Sequence, residues 1–497
     1  MKGLISKNWA RTLGLGLILL STACQPFELT PIPEPVVEEV PAPPTPDSPM
    51  PTALPARPPF EPGTLVEYIA QTGDTLPALA AHFNTTEAEI RTANPIIPGD
   101  ATTMPAGFPM QIPIYYRPLW GTPYQIVPDS LFVNGPAQRD FDVVAYVNDQ
   151  PGWLKDYRVS LATENLRGGE IINHVAVNFS LSPRLLLAML EYQLGALTNP
   201  ERPESLERFS LGYRNTQYVG LLRQLTWAAN TLNNGYYSWR NGNLDTFDHL
   251  DGRTERPDPW QNAATVALQY YYSKLFPDDA YNYAVSGNGL AQTYLNLFGD
   301  PWSNVVAHIE GSLRQPELSL PFAAGRTWAY TGGPHTGWGD GEPFSALDFA
   351  PPSVVGGCST AEDPATAIAD GIVVRTGDAL AMLDLDGDGD ERTGWVILYL
   401  HLANDSLPAV GAVMLKGDPI GIPSCEGGRA TGSHVHIARK YNGEWILAEG
   451  PLAFNLEGWV AKNGEAAYDG TLTKLGRSIR ACVCSDRNSQ IQASLQQ

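Results

Sequence analysis

The stretch TGSHVHIARK, residues 431–440, carries the pattern that decides the fold and chemistry of the C-terminal region. It places His434 and His436 on alternate positions, although the 497-residue chain has only 8 histidines. Residues two apart on a β-strand point to the same face, so both imidazoles are expected to converge on one point. A polar edge strand would show the same pattern. The positions of the other histidines separate these two interpretations.

Glycine-punctuated strands surround this stretch. Segments such as GIVVRTG, ALAMLDL and GWVILYLHL alternate or run apolar between turns, which predicts a mainly antiparallel β-domain over residues 316–485. Within it, His335, Asp348 and His401 fall at turns or strand ends. A catalytic zinc needs three nitrogen or carboxylate ligands, an open position and a nearby proton carrier. Four histidines and a carboxylate in one domain meet that requirement.

The motifs GGPH, LDFAPP, YLHL, KGDPIGI and TGSHVHI resemble the lysostaphin and staphylolysin family of peptidoglycan endopeptidases. This resemblance implies that Zn²⁺ is bound by three ligands, His335, Asp348 and His436. It further implies that His434 is the general base and acid, and that His401 stabilises the developing oxyanion. Many members carry H-x-x-x-D, whereas Phe344 stands in that histidine position here. The staphylolysin branch places its first ligand further upstream in a GG-x-H turn, which His335 matches.

An acidic stretch, DLDGDGDERTGW, separates two apolar strands of this domain. Its carboxylates fall at the spacing of an EF-hand-like Ca²⁺ loop and are Asp384, Asp386, Asp388 and Asp390. Trp395 stands at the twelfth position, where such loops carry glutamate, and strands rather than helices flank the segment. A solvated acidic hairpin is the alternative to a calcium site.

Four cysteines also lie in the C-terminal part: Cys358, Cys425, Cys482 and Cys484. An exported chain usually oxidises such thiols, and four of them permit three connectivities. Cys482 and Cys484 are so close that a bridge between them is expected to be strained. One or both are therefore expected to pin the C-terminal tail, with residues 486–497 flexible. A zinc-thiolate site is the alternative, but C-x-C lacks a second C-x-x-C partner.

The first residues predict export. MKGLISKNWAR is basic, LGLGLILL is apolar but too short to span a bilayer, and STAC closes a signal peptide of residues 1–23. STAC resembles the lipobox of bacterial lipoproteins, with Ser21 where the box usually has leucine. The resemblance implies lipidation of Cys24 and a membrane anchor, and an ordinary signal peptide with a free thiol is the alternative. The proline density of residues 24–62 predicts an extended tether.

Residues 63–116 predict a small α+β module. A short strand, a Gly-Asp-Thr turn, two helical segments and a closing strand follow one another. This β-α-α-β string resembles a LysM module, which implies binding of N-acetylglucosamine polymers such as peptidoglycan. The glycan-binding residues implied by the resemblance are Gly73, Asp74, Thr75 and Asn94. A fold of the same shape without glycan affinity is the alternative.

Residues 117–315 predict a mostly helical domain, with runs such as SPRLLLAMLEYQLGAL. The run ending at Gly195 resembles the first catalytic helix of lytic transglycosylases, but Gln193 stands where that family has its glutamate. Glutamine cannot act as the general acid, and Glu191 lies on another helix face. The region is therefore expected to be lysozyme-like and non-catalytic, serving as a spacer or a glycan-binding element. Three histidines of this region lack ligand-like spacing and are interpreted as structural: His174, His249 and His308.

The formal net charge of -21 argues against nucleic-acid binding, because a phosphate backbone would be repelled. The sequence thus predicts a multidomain chain with a LysM module, a helical middle domain and an antiparallel β peptidase domain. The leading hypothesis is an exported, lipid-anchored zinc endopeptidase that cuts peptidoglycan in the cell envelope. The alternative is a non-catalytic wall-binding scaffold or hydrolase activator. A glycosidase acting through the helical domain is disfavoured by Gln193, and no protein partner is indicated.

Overall fold

The computed structural model describes residues 56–161, 164–303, 305–353, 355–484 and 486–495, all of which fall within the same unit of the chain. The predicted signal peptide, Cys24 and most of the tether lie outside the described residues. The end of the tether is held on the middle domain, where Arg57 Nε lies 2.7 Å from Asp258 Oδ2 and the guanidinium covers the Trp260 ring. No helix in the described part of the chain is long and apolar enough to cross a bilayer.

The N-terminal module has the β-α-α-β order that its sequence predicted. Its two strands pair antiparallel, and the helices cover one side of them. Thr75 begins the first helix by accepting a hydrogen bond from Ala78 N, and Thr86 forms a capping box with Glu89 at the second. The elements are β1 (Thr64–Ile69), α1 (Leu76–His82), α2 (Glu87–Ala93) and β2 (Pro109–Ile114).

The middle domain is mostly helical, as predicted. Ser182 caps one of its buried helices by accepting a hydrogen bond from Leu185 N, and Pro183 occupies the first turn. The elements are α3 (Val143–Asn148), β3 (Arg158–Ser160), β4 (Asn165–Arg167), α4 (Gly168–Phe179), α5 (Pro183–Leu194), α6 (Leu221–Arg240), β5 (Phe247–Asp248), β6 (Thr254–Glu255), α7 (Ala263–Ser273), α8 (Asp278–Ala284) and α9 (Leu290–Phe298).

The C-terminal domain is antiparallel β, as predicted. Its strands are β7 (Thr327–Thr336), β8 (Phe344–Ala350), β9 (Ala365–Thr366), β10 (Gly371–Gly377), β11 (Leu380–Asp384), β12 (Trp395–Leu400), β13 (Val413–Met414), β14 (Pro419–Gly421), β15 (Val435–Tyr441), β16 (Glu444–Trp445), β17 (Asn455–Leu456), β18 (Trp459–Asn463), β19 (Gly470–Lys474), β20 (Arg477–Arg480) and β21 (Gln490–Gln492). The large sheet runs in the order β13-β10-β11-β12-β15-β8-β7-β21, and β17 to β20 form a second, smaller sheet.

Both faces of the large sheet are buried, which corrects one prediction. Tyr399 and Ile437 pack into the core of the C-terminal domain, whereas their sequence neighbours Leu398 and Ala438 pack against the helices of the middle domain. Because side chains alternate along a strand, the helical domain covers one whole face of the sheet. The spacer interpretation of residues 117–315 is therefore wrong, since helices and sheet share one hydrophobic core.

Two predictions about the C-terminal end are also wrong. Residues 490–492 form β21 and pair with β7, because Ile491 is an apolar side chain that the sheet buries. The tail is therefore part of the fold. Cys482 pairs with Cys484 rather than with a distant thiol, because the turn between them brings their Cα atoms within 5.0 Å, an ordinary separation for a disulfide. The other bridge joins Cys358 to Cys425.

A buried charge network joins the three parts of the chain. Arg240, at the end of α6, lies 3.1 Å from Asp129 and 3.2 Å from Glu444 of the C-terminal domain, and it donates to the carbonyl of Thr72 in the N-terminal module. His308 Nε2 lies 2.6 Å from Glu444 Oε2. Buried charges of this kind are stable only when paired, so the network ties the domains to one arrangement.

Candidate metal centre

Five polar side chains meet on neighbouring strands of the large sheet. His335 lies on β7, Asp348 on β8 and His436 on β15, while His434 directly precedes β15 and His401 directly follows β12. In the register of the sheet, His436 lies opposite Asp348 on one side and opposite the last residue of β12 on the other. The sheet thereby brings together all the residues that the sequence singled out as zinc ligands and catalytic groups.

Three donor atoms of this cluster converge. His335 Nε2 lies 3.0 Å from His436 Nδ1, and Asp348 Oδ1 lies 3.2 Å from the first and 3.3 Å from the second. A tetrahedral zinc with bonds of about 2.0–2.1 Å separates its ligand atoms by roughly 3.3 Å. His335, Asp348 and His436 are all buried, with 1%, 6% and 5% of their surface exposed. The spacing of the donor atoms therefore fits one small cation.

The hydrogen bonds of the two imidazoles fix which nitrogen faces the cluster. His335 Nδ1 lies 2.7 Å from the Gly333 carbonyl, and His436 Nε2 lies 3.2 Å from the Gly337 carbonyl. A carbonyl can only accept, so each of these nitrogens carries the proton. The opposite nitrogen of each neutral ring then offers a lone pair to the centre, which is the arrangement that orients metal-ligating histidines.

Asp348 Oδ1 supplies the third lone pair. Within the described residues this buried oxygen has no hydrogen-bond donor, although two imidazole nitrogens are close to it. Burial would raise the pKa of Asp348, but when no metal is bound the charge of a protonated His335 and the hydrogen bonds of the neighbouring histidines outweigh burial and hold the pKa well below its ordinary value. Three buried lone pairs, two from imidazole nitrogens and one from an ionised carboxylate, fit a divalent cation of the kind that takes nitrogen and oxygen ligands.

Two glycines make room for the cluster. A Cβ on Gly332 would lie 2.4 Å from Asp348 Oδ2, and a Cβ on Gly333 would lie 2.4 Å from the carbonyl of Asp469. Both distances are far below van der Waals contact. The register of β7 also shifts between Tyr330 and His335, as expected where glycine allows a bulge. The GG of the GGPH motif is therefore required by the close approach of β7 to Asp348 at Gly332 and to the backbone of Asp469 at Gly333.

His434 and His401 lie beside the three donor atoms. His434 Nε2 is 3.8 Å from Asp348 Oδ2, and the His401 and His434 ring centroids are 4.6 Å apart. His434 Nδ1 donates to the Gly432 carbonyl, and His401 Nδ1 donates to the Glu426 carbonyl, so both Nε2 atoms are left to face the site. Burial, followed by the charge of His434, lowers the pKa of His401 to about 4.

Tyr468 is a residue of this site that the sequence did not single out. Its ring stacks on His335 with a centroid distance of 4.1 Å, and its hydroxyl group belongs to a side chain that is half exposed. Burial, followed by the charge of Asp348, raises the pKa of this hydroxyl. Tyr468 lies in the loop before β19, and this loop carries no sequence motif. Its place in the site is seen only from the packing of the small sheet on β7.

The four residues predicted to bind glycan make contacts inside the protein. Asp74 accepts hydrogen bonds of 2.7 Å from Tyr68 and from Gln71 N, and burial raises its pKa to about 6. Asn94 bonds the backbone of α2 and β2, and Thr75 caps α1. Gly73 lies against the Arg240 guanidinium, which a Cβ would approach to 2.8 Å. Gly73 and Asn94 are buried, whereas Asp74 and Thr75 are partly exposed, and glycan binding at these four positions stays a prediction.

A segment that we call the strap, residues 309–313, lies across the same loops of the module. Thr72 Oγ1 accepts from Ile309 N at 2.9 Å, Thr103 Oγ1 donates to the Glu310 carbonyl at 2.7 Å, and Thr102 Oγ1 donates to the Leu313 carbonyl at 2.6 Å. The threonine hydroxyls of two module loops thus bind the backbone of the strap.

The acidic stretch forms a tight turn after β11. Asp384, Asp386 and Asp388 lie close enough together to share a metal ion. Asp390 instead pairs with Arg392 at 2.7 Å, and Arg139 of the middle domain lies 3.1 Å from Asp388 and 3.2 Å from Asp390. Protein guanidinium groups therefore neutralise part of the cluster, and calcium binding there stays a prediction.

Residues 125–311 match the family described as LasA, N-terminal domain. This range covers most of the helical domain, for which the lysozyme-like interpretation is not confirmed. Gln193 is bound by Tyr271 and by the Leu211 carbonyl, and the Glu191 carboxylate caps residues 197 and 198. Gln193 is an amide that cannot act as an acid, and the Glu191 carboxylate is bound to the backbone after α5.

Protease LasA of Pseudomonas aeruginosa is 25% identical over 345 residues, which cover 65% of this chain and 75% of that protein. The β-lytic metalloendopeptidase of Lysobacter enzymogenes is 29% identical over 160 residues, 31% of this chain and 83% of that protein. Among solved structures, the deep-sea M23 metalloprotease pseudoalterin has a TM-score of 0.28 and 23% identity, over 34% of this chain and 96% of that one. The chain is thus similar to LasA and to the β-lytic metalloendopeptidases, and these homologues indicate a zinc metalloendopeptidase.

Proposed function

We propose that this chain cleaves peptide bonds in the stems or cross-bridges of peptidoglycan, using a zinc ion bound by His335, Asp348 and His436. The observation that carries the proposal is the convergence of three lone-pair donors 3.0–3.3 Å apart, beside two further imidazoles. The residues fit the metal, because the two histidines are oriented by backbone carbonyls and the carboxylate oxygen has no other partner among the described residues.

A zinc ion in this position would polarise the scissile carbonyl and make water a better nucleophile at neutral pH. The chain itself supplies the movement of the proton. His434 Nε2 faces the centre as a free lone pair, because Nδ1 is committed to the Gly432 carbonyl. It can therefore take a proton from the attacking water and return it to the leaving amine, which is the work of a general base and acid.

We assign His401 to the negative charge that develops on the carbonyl oxygen during the attack. Its Nδ1 donates to the Glu426 carbonyl, and its ring lies against that of His434. The pKa of His401, lowered to about 4 by burial first, keeps the resting ring neutral with an unprotonated Nε2 toward the centre. His401 can therefore stabilise the oxygen on which negative charge develops only once Nε2 has gained a proton. The Tyr468 ring stacks on His335, and its hydroxyl is a second candidate donor to that oxygen.

The direct test is hydrolysis of purified peptidoglycan by the mature chain, with product analysis by mass spectrometry. We expect new amino termini in the peptide part, with the glycan strands left intact and zinc bound to the protein. Release of reducing sugar ends without new amino termini would contradict the endopeptidase and favour glycan cleavage.

The second candidate function is a wall-binding scaffold or hydrolase activator with an inert centre. It is favoured by the burial of the centre and by the helical domain that covers the same face of the sheet, since His436 and Ala438 share that face. Zinc content distinguishes the two, because an inert scaffold has no need to retain about one zinc per chain.

We also propose that the N-terminal module targets the chain to peptidoglycan. A LysM-like module would raise the local concentration of substrate by holding the chain on glycan strands. The strap and Arg240 cover the loop that carries Gly73, so glycan binding through that loop requires their displacement. Glycan binding and strap binding are therefore expected to exclude one another.

The proposal also includes export and a lipid anchor at Cys24, which lies outside the described residues. If the anchor is present, the exported chain should partition into detergent, whereas the Cys24→Ser variant should be recovered in the aqueous phase. Equal partitioning of the two forms would contradict the lipoprotein.

A further inference from the structure

We propose that the Cys358–Cys425 disulfide is a positioning element for the two catalytic imidazoles, holding His401 and His434 in place without taking part in metal binding. The inference rests on the proposed function, because that function gives the two histidines their catalytic roles. The bridge joins two irregular loops that lie far apart in sequence, since the two cysteines are 67 positions apart. The loop of Cys425 contacts His401, and the loop of Cys358 contacts Ser433, the residue before His434.

On one side, the neighbours of Cys425 hold His401. Ser424 N donates to the His401 carbonyl at 2.6 Å, and the Glu426 carbonyl accepts from His401 Nδ1 at 2.7 Å. His401 itself has φ 63°, a left-handed backbone conformation that a residue with a Cβ adopts only under restraint. The loop around Cys425 therefore supplies both the backbone restraint and the ring orientation of His401.

On the other side, the neighbours of Cys358 hold the segment before His434. Ser433 N donates to the Gly357 carbonyl at 3.1 Å, and the Ser433 hydroxyl donates to the Ser359 carbonyl. The adjacent Gly432 carbonyl accepts from His434 Nδ1 at 2.8 Å. The orientation of the His434 ring thus depends on a loop that is itself fixed by residues on both sides of Cys358.

The metal ligands are held by a different part of the fold. His335, Asp348 and His436 lie within β7, β8 and β15, in the interior of the large sheet. Their restraints are ladder hydrogen bonds and the carbonyls of residues 333 and 337. Loss of the bridge is therefore expected to loosen the proton carrier and its neighbour while the zinc site stays intact.

The experiment compares three variants of the full chain, Cys358→Ser, Cys425→Ser and the double variant, with Cys482→Ser/Cys484→Ser as the matched control that breaks the other bridge. We expect kcat on a wall peptide to fall about 10-fold to 100-fold in the first three, because small misplacements of catalytic groups have effects of that size. KM should change by less than about 3-fold, and zinc content should stay at the wild-type value. The single and double variants should lose the same factor, since each removes the same bond.

Amide exchange gives a readout that does not depend on activity. Residues 424–434 should exchange faster in the three variants, whereas the strand segment 435–441 should be unchanged. A kcat close to wild type, a loss of zinc together with activity, or unchanged exchange over residues 424–434 would each overturn the inference. An inactive wild-type chain would refute the proposed function, and the exchange experiment would still decide whether the bridge orders these loops.

Discussion

His335 Nε2 lies 3.0 Å from His436 Nδ1, although the two residues are 101 positions apart in the chain. The other nitrogen of each ring donates its N–H to a backbone carbonyl. Two lone pairs therefore face one another at hydrogen-bond distance. Asp348 Oδ1 completes the triangle. Such an arrangement is unfavourable without a cation between the three atoms, because buried lone pairs repel and remain unpaired.

The first prediction concerns metal content. The purified chain should carry about one zinc, and Asp348→Ala should release it, because two imidazoles alone leave the site one ligand short. The measurement is elemental analysis after removal of loosely bound metal. His174→Ala is the control, since that histidine contacts only Asn178 among the hydrogen bonds of the described residues. Zinc retained in full by Asp348→Ala would show that this carboxylate is not a ligand.

The second prediction separates the alternate histidines of the HVH stretch. His436→Ala should lose zinc and activity together, whereas His434→Ala should keep zinc and lose activity by about 10²-fold to 10⁴-fold, because only a proton carrier is removed. His401→Ala should resemble His434→Ala. Zinc analysis beside peptidoglycan hydrolysis checks all three variants. Loss of zinc in His434→Ala with retention in His436→Ala would mean that the two roles are reversed.

The third prediction concerns the glycine behind the carboxylate. Gly332→Ala places a methyl group 2.4 Å from Asp348 Oδ2 and must displace that side chain or β7. We expect zinc affinity to fall about 10-fold to 100-fold, the usual effect of disturbing the support of a metal ligand. Competition with a zinc-binding dye measures it. Gly99→Ala is the matched control, because a Cβ at that position meets no atom within 4 Å. Equal affinities of the two variants would refute the steric argument.

The fourth prediction concerns the charge network between the domains. Glu444 is bound by Arg240, His308 and Tyr236, and its carboxylate is buried. Glu444→Gln should lower the free energy of unfolding by about 3 kcal/mol, at the low end for a broken buried pair, because Asp129 still neutralises Arg240. Urea unfolding followed by tryptophan fluorescence checks this value.

The same residue should give the chain an acid-sensitive stability. Burial would raise the pKa of Glu444, but the charge of Arg240 and the hydrogen bond of His308 outweigh burial and lower the pKa to about 2. A lowered pKa in the folded state means that the stabilisation is present above the ordinary value near 4.5 and is lost as pH falls toward 2. Wild type should therefore lose more stability than Glu444→Gln over that window, and parallel pH curves would contradict the assignment.

The fifth prediction concerns the strap on the N-terminal module. Gly311→Leu should displace the strap, because a Cβ at this position would lie 2.5 Å from Pro105. We expect binding of N-acetylglucosamine oligomers to be at least about 10-fold tighter than in wild type, since ligand and strap compete for one surface. Gly356→Leu is the control, as no atom lies within 4 Å of its Cβ. Equal oligomer affinity in all three chains would show that the strap does not compete.

Much of the candidate metal centre could be predicted from the sequence. His434 and His436 follow the two-residue period of a strand, and GGPH and LDFAPP carry the other two proposed ligands, His335 and Asp348, within recognisable local patterns. Tyr468 could not be predicted in this way, because its place beside His335 depends on how the small sheet packs on β7. The pairing of Cys482 with Cys484 could not be predicted from their spacing in the sequence, because the distance between their Cα atoms depends on the turn that the chain makes there.

The sequence by itself determined the elements that depend on local periodicity: the β-α-α-β module, the helical middle region, the antiparallel C-terminal domain and the residue types of its proposed zinc site. Only the tertiary structure decided what these elements cover. The helices of residues 117–315 bury the sheet face that carries His436, and Arg240 with the strap covers the loop around Gly73. The physical reason is that side-chain alternation specifies which residues share a face, whereas the partner of that face is chosen by burial and charge pairing between residues far apart in the chain.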